Sequence, residues 1–184
     1  AATLWPASRL GTEFMPELVE GDFLYMPTTL PGLSADAARA LLQQTDRLIK
    51  TVPEVERVFG KAGRAESATD PAPMEMFETT VMLKPRDQWR PGMTPDKLKA
   101  ELDALVKFPG LSNAWGYPIK TRIDMLATGI RTPVGIKVMG PDLAVIERLG
   151  RRIEAILRDV PGTTSVYAER TATGRYLDVD IDRV

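Results

Sequence analysis

The stretch PAPMEMFETTVMLKP, residues 71–85, decides the fold, because its second half alternates in the manner of a β-strand. Side chains that suit a core share one face: Phe77, Thr79, Val81 and Leu83. Thioethers and a carboxylate share the opposite face: Met74, Met76, Glu78, Thr80 and Met82. The pattern predicts a half-buried strand whose second face carries sulfur beside a carboxylate.

The segments on either side of this strand complete a recognisable order. Before it come a strand in 21–32, a helix capped by Ser34 and ended near Pro53, and a strand in 54–63. After it come a helix beginning at Thr94-Pro95 and a short extended segment in 111–119. The β-α-β-β-α-β order over 20–119 predicts an α+β fold of the ferredoxin-like, split-βαβ type, with both helices on one face.

A second, incomplete unit follows from residue 134. VGIKVMG (134–140), TTSVYAER (163–170) and GRYLDVDID (174–182) are predicted strands, and 142–160 is a predicted helix. That helix has an apolar stripe expected to face a core: Leu143, Ile146, Leu149, Ile153, Ile156 and Leu157. The β-α-β-β order predicts most of a second α+β subdomain.

The composition excludes several classes of function. The chain has no cysteine and no histidine, which removes thiolate and imidazole chemistry and makes an enzyme an unfavoured interpretation. A net charge of −1 argues against nucleic-acid binding. Apolar runs are too short to span a membrane. Carboxylate, lysine and thioether chemistry remain, and there are eight methionines.

Long motifs resemble one transporter family. They are LGTEFMPELVEGDFLYMPTTLPGLS (10–34), TVPEVERVFGKAGRAESATDPAPMEMFETT (51–80), QWRPGMT (88–94), RIDMLATGIRTPVGIKVMG (122–140) and GRYLDVDI (174–181). Together they resemble the inner-membrane pump subunits of the resistance-nodulation-division (RND) class, in the copper/silver branch of the heavy-metal efflux pumps. The resemblance implies a proton-driven homotrimer whose periplasmic porter subdomains work with a membrane-fusion adaptor and an outer-membrane channel.

The resemblance also implies a division of the chain. Residues 1–19 would be the tail of a preceding transmembrane helix with a linker, and 20–119 a complete porter subdomain. Residues 120–133 would be a connection lining the cleft, and 134–184 the first part of a second porter subdomain. The chain would thus be a periplasmic part of a bacterial inner-membrane protein.

The family's site residues carry over only at matching motif positions. In copper/silver pumps three cleft methionines hold the ion, and the matching residues are Met26, Met76 and Met125. Charged residues of the family's transport route match at Glu20, Asp70, Glu78, Arg122 and Arg131. Arg131 departs from the lysine usual at its position in the copper pumps. Soft thioethers suit monovalent Cu(I) or Ag(I), expected here as the transported ligand with no resident cofactor.

Two other interpretations stay open. The chain could belong to a zinc, cobalt or nickel pump, in which carboxylates would replace the thioethers, or it could be a stand-alone ferredoxin-like binding module. Any single methionine is also ordinary core packing by default.

Overall fold

Strands and helices follow the predicted order up to Gly116. The computed structural model describes residues 5, 9, 18–29, 31–63, 74–130, 132, 134–163, 165–169 and 180–181. Its strands are β1 (Phe23–Tyr25), β2 (Val55–Ala62), β3 (Phe77–Leu83) and β4 (Trp115–Gly116). Its helices are α1 (Ala35–Lys50), α2 (Pro95–Leu105), α3 (Pro118–Thr128) and α4 (Leu143–Arg158), with a short 3-10 turn at Arg86–Gln88.

The four strands form one antiparallel sheet in the order β2-β3-β1-β4. β3 lies between β1 and β2, the two strands that α1 connects, which is the split-βαβ arrangement. The ferredoxin-like α+β fold predicted from the sequence is therefore confirmed. The register pairs Leu24 of β1 with Thr80 of β3 and with Gly116 of β4.

Both helices α1 and α2 cover the same face of the sheet, as their one-sided apolar stripes predict. The core between them and the strands includes Ile49, Leu98 and Leu102, all fully buried, packed with Phe23 and Val81. Burying each such side chain stabilises the fold by about 1.5–3 kcal/mol. We call this the inner face of the sheet, and the opposite one the outer face.

The helix ends are set by short-range capping. The Ser34 hydroxyl accepts a hydrogen bond from the Ala37 N–H at 3.2 Å, and the Thr94 hydroxyl accepts one from the Lys97 N–H at 3.3 Å. Pro95 occupies the first turn of α2, where a missing N–H costs nothing.

Helix α1 approaches the sheet most closely at Gly60 of β2. A Cβ there would lie 2.6 Å from Asp46 Oδ2 and 2.7 Å from both Leu42 Cδ1 and Thr79 Oγ1. The Thr79 hydroxyl donates to Asp46 Oδ1 at 3.1 Å. Burial between helix and sheet raises the pKa of Asp46, and the Thr79 hydrogen bond offsets part of that effect. A side chain at residue 60 would therefore displace these three side-chain ends.

A buried carboxylate ties β2 to the loop before α2. Glu54 accepts hydrogen bonds from the Arg90 backbone N–H at 3.0 Å, from Nε at 2.7 Å and from Nη2 at 2.9 Å. Arg90 also contacts Glu101 of α2 at 2.8 Å. The hydrogen bonds from the Arg90 side chain lower the pKa of Glu54 to about 2. The Glu54 carboxylate thus stays ionised and holds the loop that carries Arg90.

Within its described residues, the second unit contains no strand. Residues 134–140 and 165–169, predicted as strands, have no ladder partner in the part of the chain that the structure describes. Alternation along a segment sets which side chains share a face, but a strand forms only when a neighbour accepts its backbone hydrogen bonds. Apart from residues 180 and 181, the predicted strand at 174–182 lies outside the described residues.

Helix α4 forms as predicted, but its apolar stripe is only partly covered. Leu143, Leu149 and Ile156 of this stripe are exposed. Glu147 and Glu154 are buried instead, paired with Arg151 and Arg158 one turn further on. 

Leu105 shares the helical spacing of the buried Leu98 and Leu102, which predicts burial, but it is exposed at the C-terminal end of α2. None of the helices in the described ranges has the length and apolarity needed to cross a bilayer.

Candidate metal site

The outer face brings Met26 and Met76 onto neighbouring strands. The β1–β3 register continues beyond β1, since the Phe77 N–H donates to the Pro27 carbonyl at 3.1 Å and Thr28 bridges to Met76. In this register Met26 lies opposite Glu78, and Met76 is the diagonal neighbour of Met26. Diagonal neighbours lie about 7–8 Å apart at Cα, within reach of long side chains.

The two methionines differ in exposure. Met26 is 3% exposed, and Met76 is partly buried. On its other side Met26 pairs with Ala114, whose carbonyl accepts the Met26 N–H at 2.8 Å. The outer-face positions of this edge segment, Ser112, Ala114 and Gly116, are all small. This end of the face therefore has room for a covering element.

Helix α3 is that element. Trp115 faces the core, where its ring stacks on Tyr25 at 4.4 Å between centroids, so the next residue, Gly116, faces the outer side. A Cβ on Gly116 would overlap Thr121 Oγ1 of α3, and Thr121 is buried. Met125 lies one turn beyond Thr121, on the same side of the helix. The third methionine thus lies on the helix that covers the outer face.

The five predicted charged residues have different environments. Glu20 accepts hydrogen bonds from the first backbone N–H groups of α3, and Glu78 pairs with Lys61 Nζ at 3.1 Å. Arg122 is exposed on α3. Asp70 and Arg131 lie outside the described residues. Glu78 lies opposite Met26 in the β1–β3 register, and Glu20 lies at the start of α3, the helix that carries Met125. The places of both carboxylates in a transport route stay predictions.

Three contributors were not identified from the sequence. Lys61 is directly opposite Glu78 in the β2–β3 register, which a strand pattern alone does not reveal. The close contact between Gly116 and Thr121 determines how α3 packs on the sheet. The available signal was Gly116 inside a short extended segment, since an isolated glycine in a strand often marks a close backbone approach.

The arrangement offers soft, neutral donors next to a balanced ion pair. Thioethers bind monovalent, polarizable ions, and Lys61 compensates the charge of Glu78. Within the described ranges, no group of three or more carboxylates has the geometry to hold a metal ion. Tyr25, behind this face, has a raised pKa caused mainly by burial, and its hydroxyl donates to Asn113 Oδ1 at 2.8 Å.

Comparison with known proteins assigns the family. A model of the AcrB/AcrD/AcrF family matches residues 1–184. The chain belongs to this family. It is 60% identical over 180 residues to the putative cation efflux system protein SilA of Salmonella typhimurium, and 58% identical over 180 residues to the cation efflux system protein CusA of Escherichia coli K12. Both alignments cover 98% of this chain.

A solved structure has the same architecture. The crystal structure of a heavy metal efflux pump superposes with a TM-score of 0.80 at 27% identity, covering 89% of this chain. These similarities confirm the resemblance to the heavy-metal branch of the RND pumps. The three relatives are efflux proteins, in agreement with the expectation that this chain is not an enzyme.

The chain corresponds to a small part of each relative. It spans 17% of the length of SilA and of CusA, and 18% of the solved pump chain. The comparisons thus match this chain to a segment of longer efflux proteins.

Proposed function

We propose that this chain is a periplasmic porter segment of a proton-driven heavy-metal efflux pump and binds Cu(I) or Ag(I) through Met26, Met76 and Met125. One observation carries the proposal: two methionines share the outer face of adjoining strands, and the third lies on the helix seated over that face. The similarity to SilA and CusA supports the same conclusion.

The chemistry favours a soft monovalent ion. Three neutral sulfur donors add no negative charge, so a site built from them suits Cu(I) or Ag(I) better than a hard divalent ion. The Lys61–Glu78 pair keeps the nearby carboxylate from acting as an uncompensated anion. The divalent-pump alternative would need carboxylate or imidazole ligands, and the chain has no histidine.

In the whole pump, this segment would be one part of a homotrimer in the bacterial inner membrane. The porter domain would pass the ion through a cleft to a membrane-fusion adaptor and an outer-membrane channel. Asp70, Glu78, Arg122 and Arg131 would border the route, together with Glu20. A stand-alone binding module is the less favoured alternative, because the sequence similarity extends over nearly the entire chain.

Titration of the purified 184-residue chain with Ag(I), and separately with Zn(II), tests the proposal. Ag(I) should bind with one-to-one stoichiometry and more tightly than Zn(II). Met26→Ile, Met76→Ile and Met125→Ile remove one sulfur each while keeping apolar bulk, and each should weaken Ag(I) binding by about tenfold or more, equivalent to about 1.4 kcal/mol. Met93→Ile and Met139→Ile are the matched controls and should bind like the parent.

The pH dependence separates thioethers from other ligands. Thioethers have no proton to lose, so Ag(I) affinity should change little between pH 7 and about pH 5.5, where an imidazole ligand would be mostly protonated. Unchanged Ag(I) affinity in all three methionine variants would exclude the site. Tighter binding of Zn(II) than of Ag(I) would favour the divalent alternative.

A further inference from the structure

Helix α3 is held at its N-terminus by a carboxylate distant in sequence. Glu20 Oε1 lies 2.9 Å from the backbone nitrogens of both Ile119 and Lys120, and Oε2 lies 2.8 Å from that of Ile119. These N–H groups are among the first four of a helix, which have no acceptor inside it. A negative charge there also interacts favourably with the helix dipole. Glu20 therefore fixes where α3 begins.

A second anchor lies directly beside the first, at Thr121, the residue after Lys120. Gly116 leaves a gap on the outer face that the Thr121 side chain fills, and a Cβ on residue 116 would overlap the Thr121 hydroxyl. Gly116 also pairs with Leu24 of β1, and β1 is the strand that α3 contacts. The Gly116–Thr121 contact thus sets how close α3 lies to the sheet.

Among the described side chains of α3, Thr121 is the one that is buried, and Ile123 and Met125 are only partly buried. Ile119 and Leu126 are exposed, Leu126 by 82%. The helix has 11 residues, which is below the length at which isolated helices are stable in water. Its position consequently depends on the two anchors rather than on a broad packed surface.

We propose that Glu20 and Gly116 are positioning residues for Met125: the carboxylate fixes the start of α3, and the missing side chain fixes its distance from Met26 and Met76. The proposal rests on the proposed function only for its metal-binding consequence, because the position of Met125 is measurable without metal. It assigns Glu20 a role through backbone N–H groups, distinct from contact with a passing ion.

The metal-free test uses the methyl signals of ¹³C-methyl-methionine in the full chain. Gly116→Ala should shift the Met125 methyl resonance and leave that of Met93 in place. Removing the obstructing hydroxyl in the double variant Gly116→Ala/Thr121→Ala should bring the Met125 resonance back towards the parent. Gly140→Ala, where an added Cβ meets nothing closer than 3.7 Å, is the control and should not move it.

Glu20 is tested with graded variants. Glu20→Ala removes every acceptor and should shift the Met125 resonance, whereas Glu20→Gln keeps one oxygen acceptor and should shift it less. A purely electrostatic role towards an ion predicts no shift for either variant in the absence of metal. An unmoved Met125 signal in both Glu20→Ala and folded Gly116→Ala overturns the proposal.

The Ag(I) measurement then uses a double-mutant cycle. Gly116→Ala should weaken Ag(I) binding by about tenfold or more in the parent, the range seen when a residue supporting a metal ligand is lost. In a Met125→Ile background it should have little further effect, because the ligand it positions is already absent. Equal losses in both backgrounds would indicate general damage and refute the positioning role.

The two proposals fail in different ways. If the parent binds no Ag(I), the proposed function fails, while the methyl resonances still report whether Met125 depends on its anchors. If Ag(I) binds but the Met125 resonance ignores both anchors, only the positioning proposal fails.

Discussion

Met26 is packed in the structure and is also a proposed ligand, and two substitutions separate packing from ligation. The side chain is 3% exposed, so truncation should remove nearly all of its buried contacts. Met26→Ala is expected to lower the free energy of unfolding by about 2–5 kcal/mol, through lost burial and the cavity left behind. Met26→Ile keeps the volume and should cost less than about 1.5 kcal/mol.

If Met26 is a ligand, it contributes to the increase in the free energy of unfolding that Ag(I) causes. At free Ag(I) one hundred times the dissociation constant, binding to the folded state alone stabilises the parent by about 2.7 kcal/mol. A tenfold weaker variant at the same Ag(I) concentration retains about 1.4 kcal/mol. The stability that Met26→Ile gains from Ag(I) should therefore be smaller than the gain of the parent by about 1.3 kcal/mol or more.

The assay is urea unfolding with and without Ag(I), followed by tryptophan fluorescence. Met139→Ala is the control, since Met139 is 89% exposed and its truncation should change stability by less than about 0.5 kcal/mol in either condition. If Met26→Ile gains as much stability from Ag(I) as the parent, Met26 is not a ligand. If Met26→Ala has the same urea midpoint as the parent, the Met26 side chain is not packed as described.

Three further predictions concern the scaffold. Folding lowers the pKa of Glu54 from 4.5 to about 2, so its contribution to stability is present above about pH 4.5 and is lost as pH falls towards 2. The free energy of unfolding should therefore depend less on pH across that range in Glu54→Gln than in the parent. The raised pKa of Asp46 has the opposite sign, because the folded state disfavours its charged form; Asp46→Asn, which can still accept from Thr79, should raise the urea midpoint at pH 7, and a lower midpoint would contradict this account. Gly60→Ala should destabilise the fold by about 1–3 kcal/mol in the same assay, through overpacking against α1, whereas Gly140→Ala should not.

The first unit was predictable because its signals are local. A cap at Ser34, the Thr94-Pro95 start and the alternation of β3 each act within a few residues, and each is found in the structure. The strand predicted at 134–140 shows the same kind of alternation but forms no ladder with any described segment. Backbone pairing depends on a partner distant in sequence, which a pattern along one segment does not supply.

The candidate site was predictable in part for the same reason. Parity along single segments puts Met26 on one face with Asp22 and Leu24, and Met76 on one face with Glu78. That these are the same face of one sheet depends on the β1–β3 register, which hydrogen bonds between distant segments determine. The hydrogen bonds from α3 to Glu20, and the ion pair of Lys61 with Glu78, also join residues that are distant in sequence.

The anchoring of α3 has a consequence for the order of folding. Glu20 and Ile119 are 99 residues apart, and β1 pairs with β3 and β4, both much later in the chain. Contacts of such long sequence separation close large loops and slow folding. During synthesis, β1 must therefore wait for β3 and β4 to leave the ribosome before its sheet closes. Because α3 follows β4 in the chain, we expect Met125 to be the last of the three methionines to reach the site during synthesis.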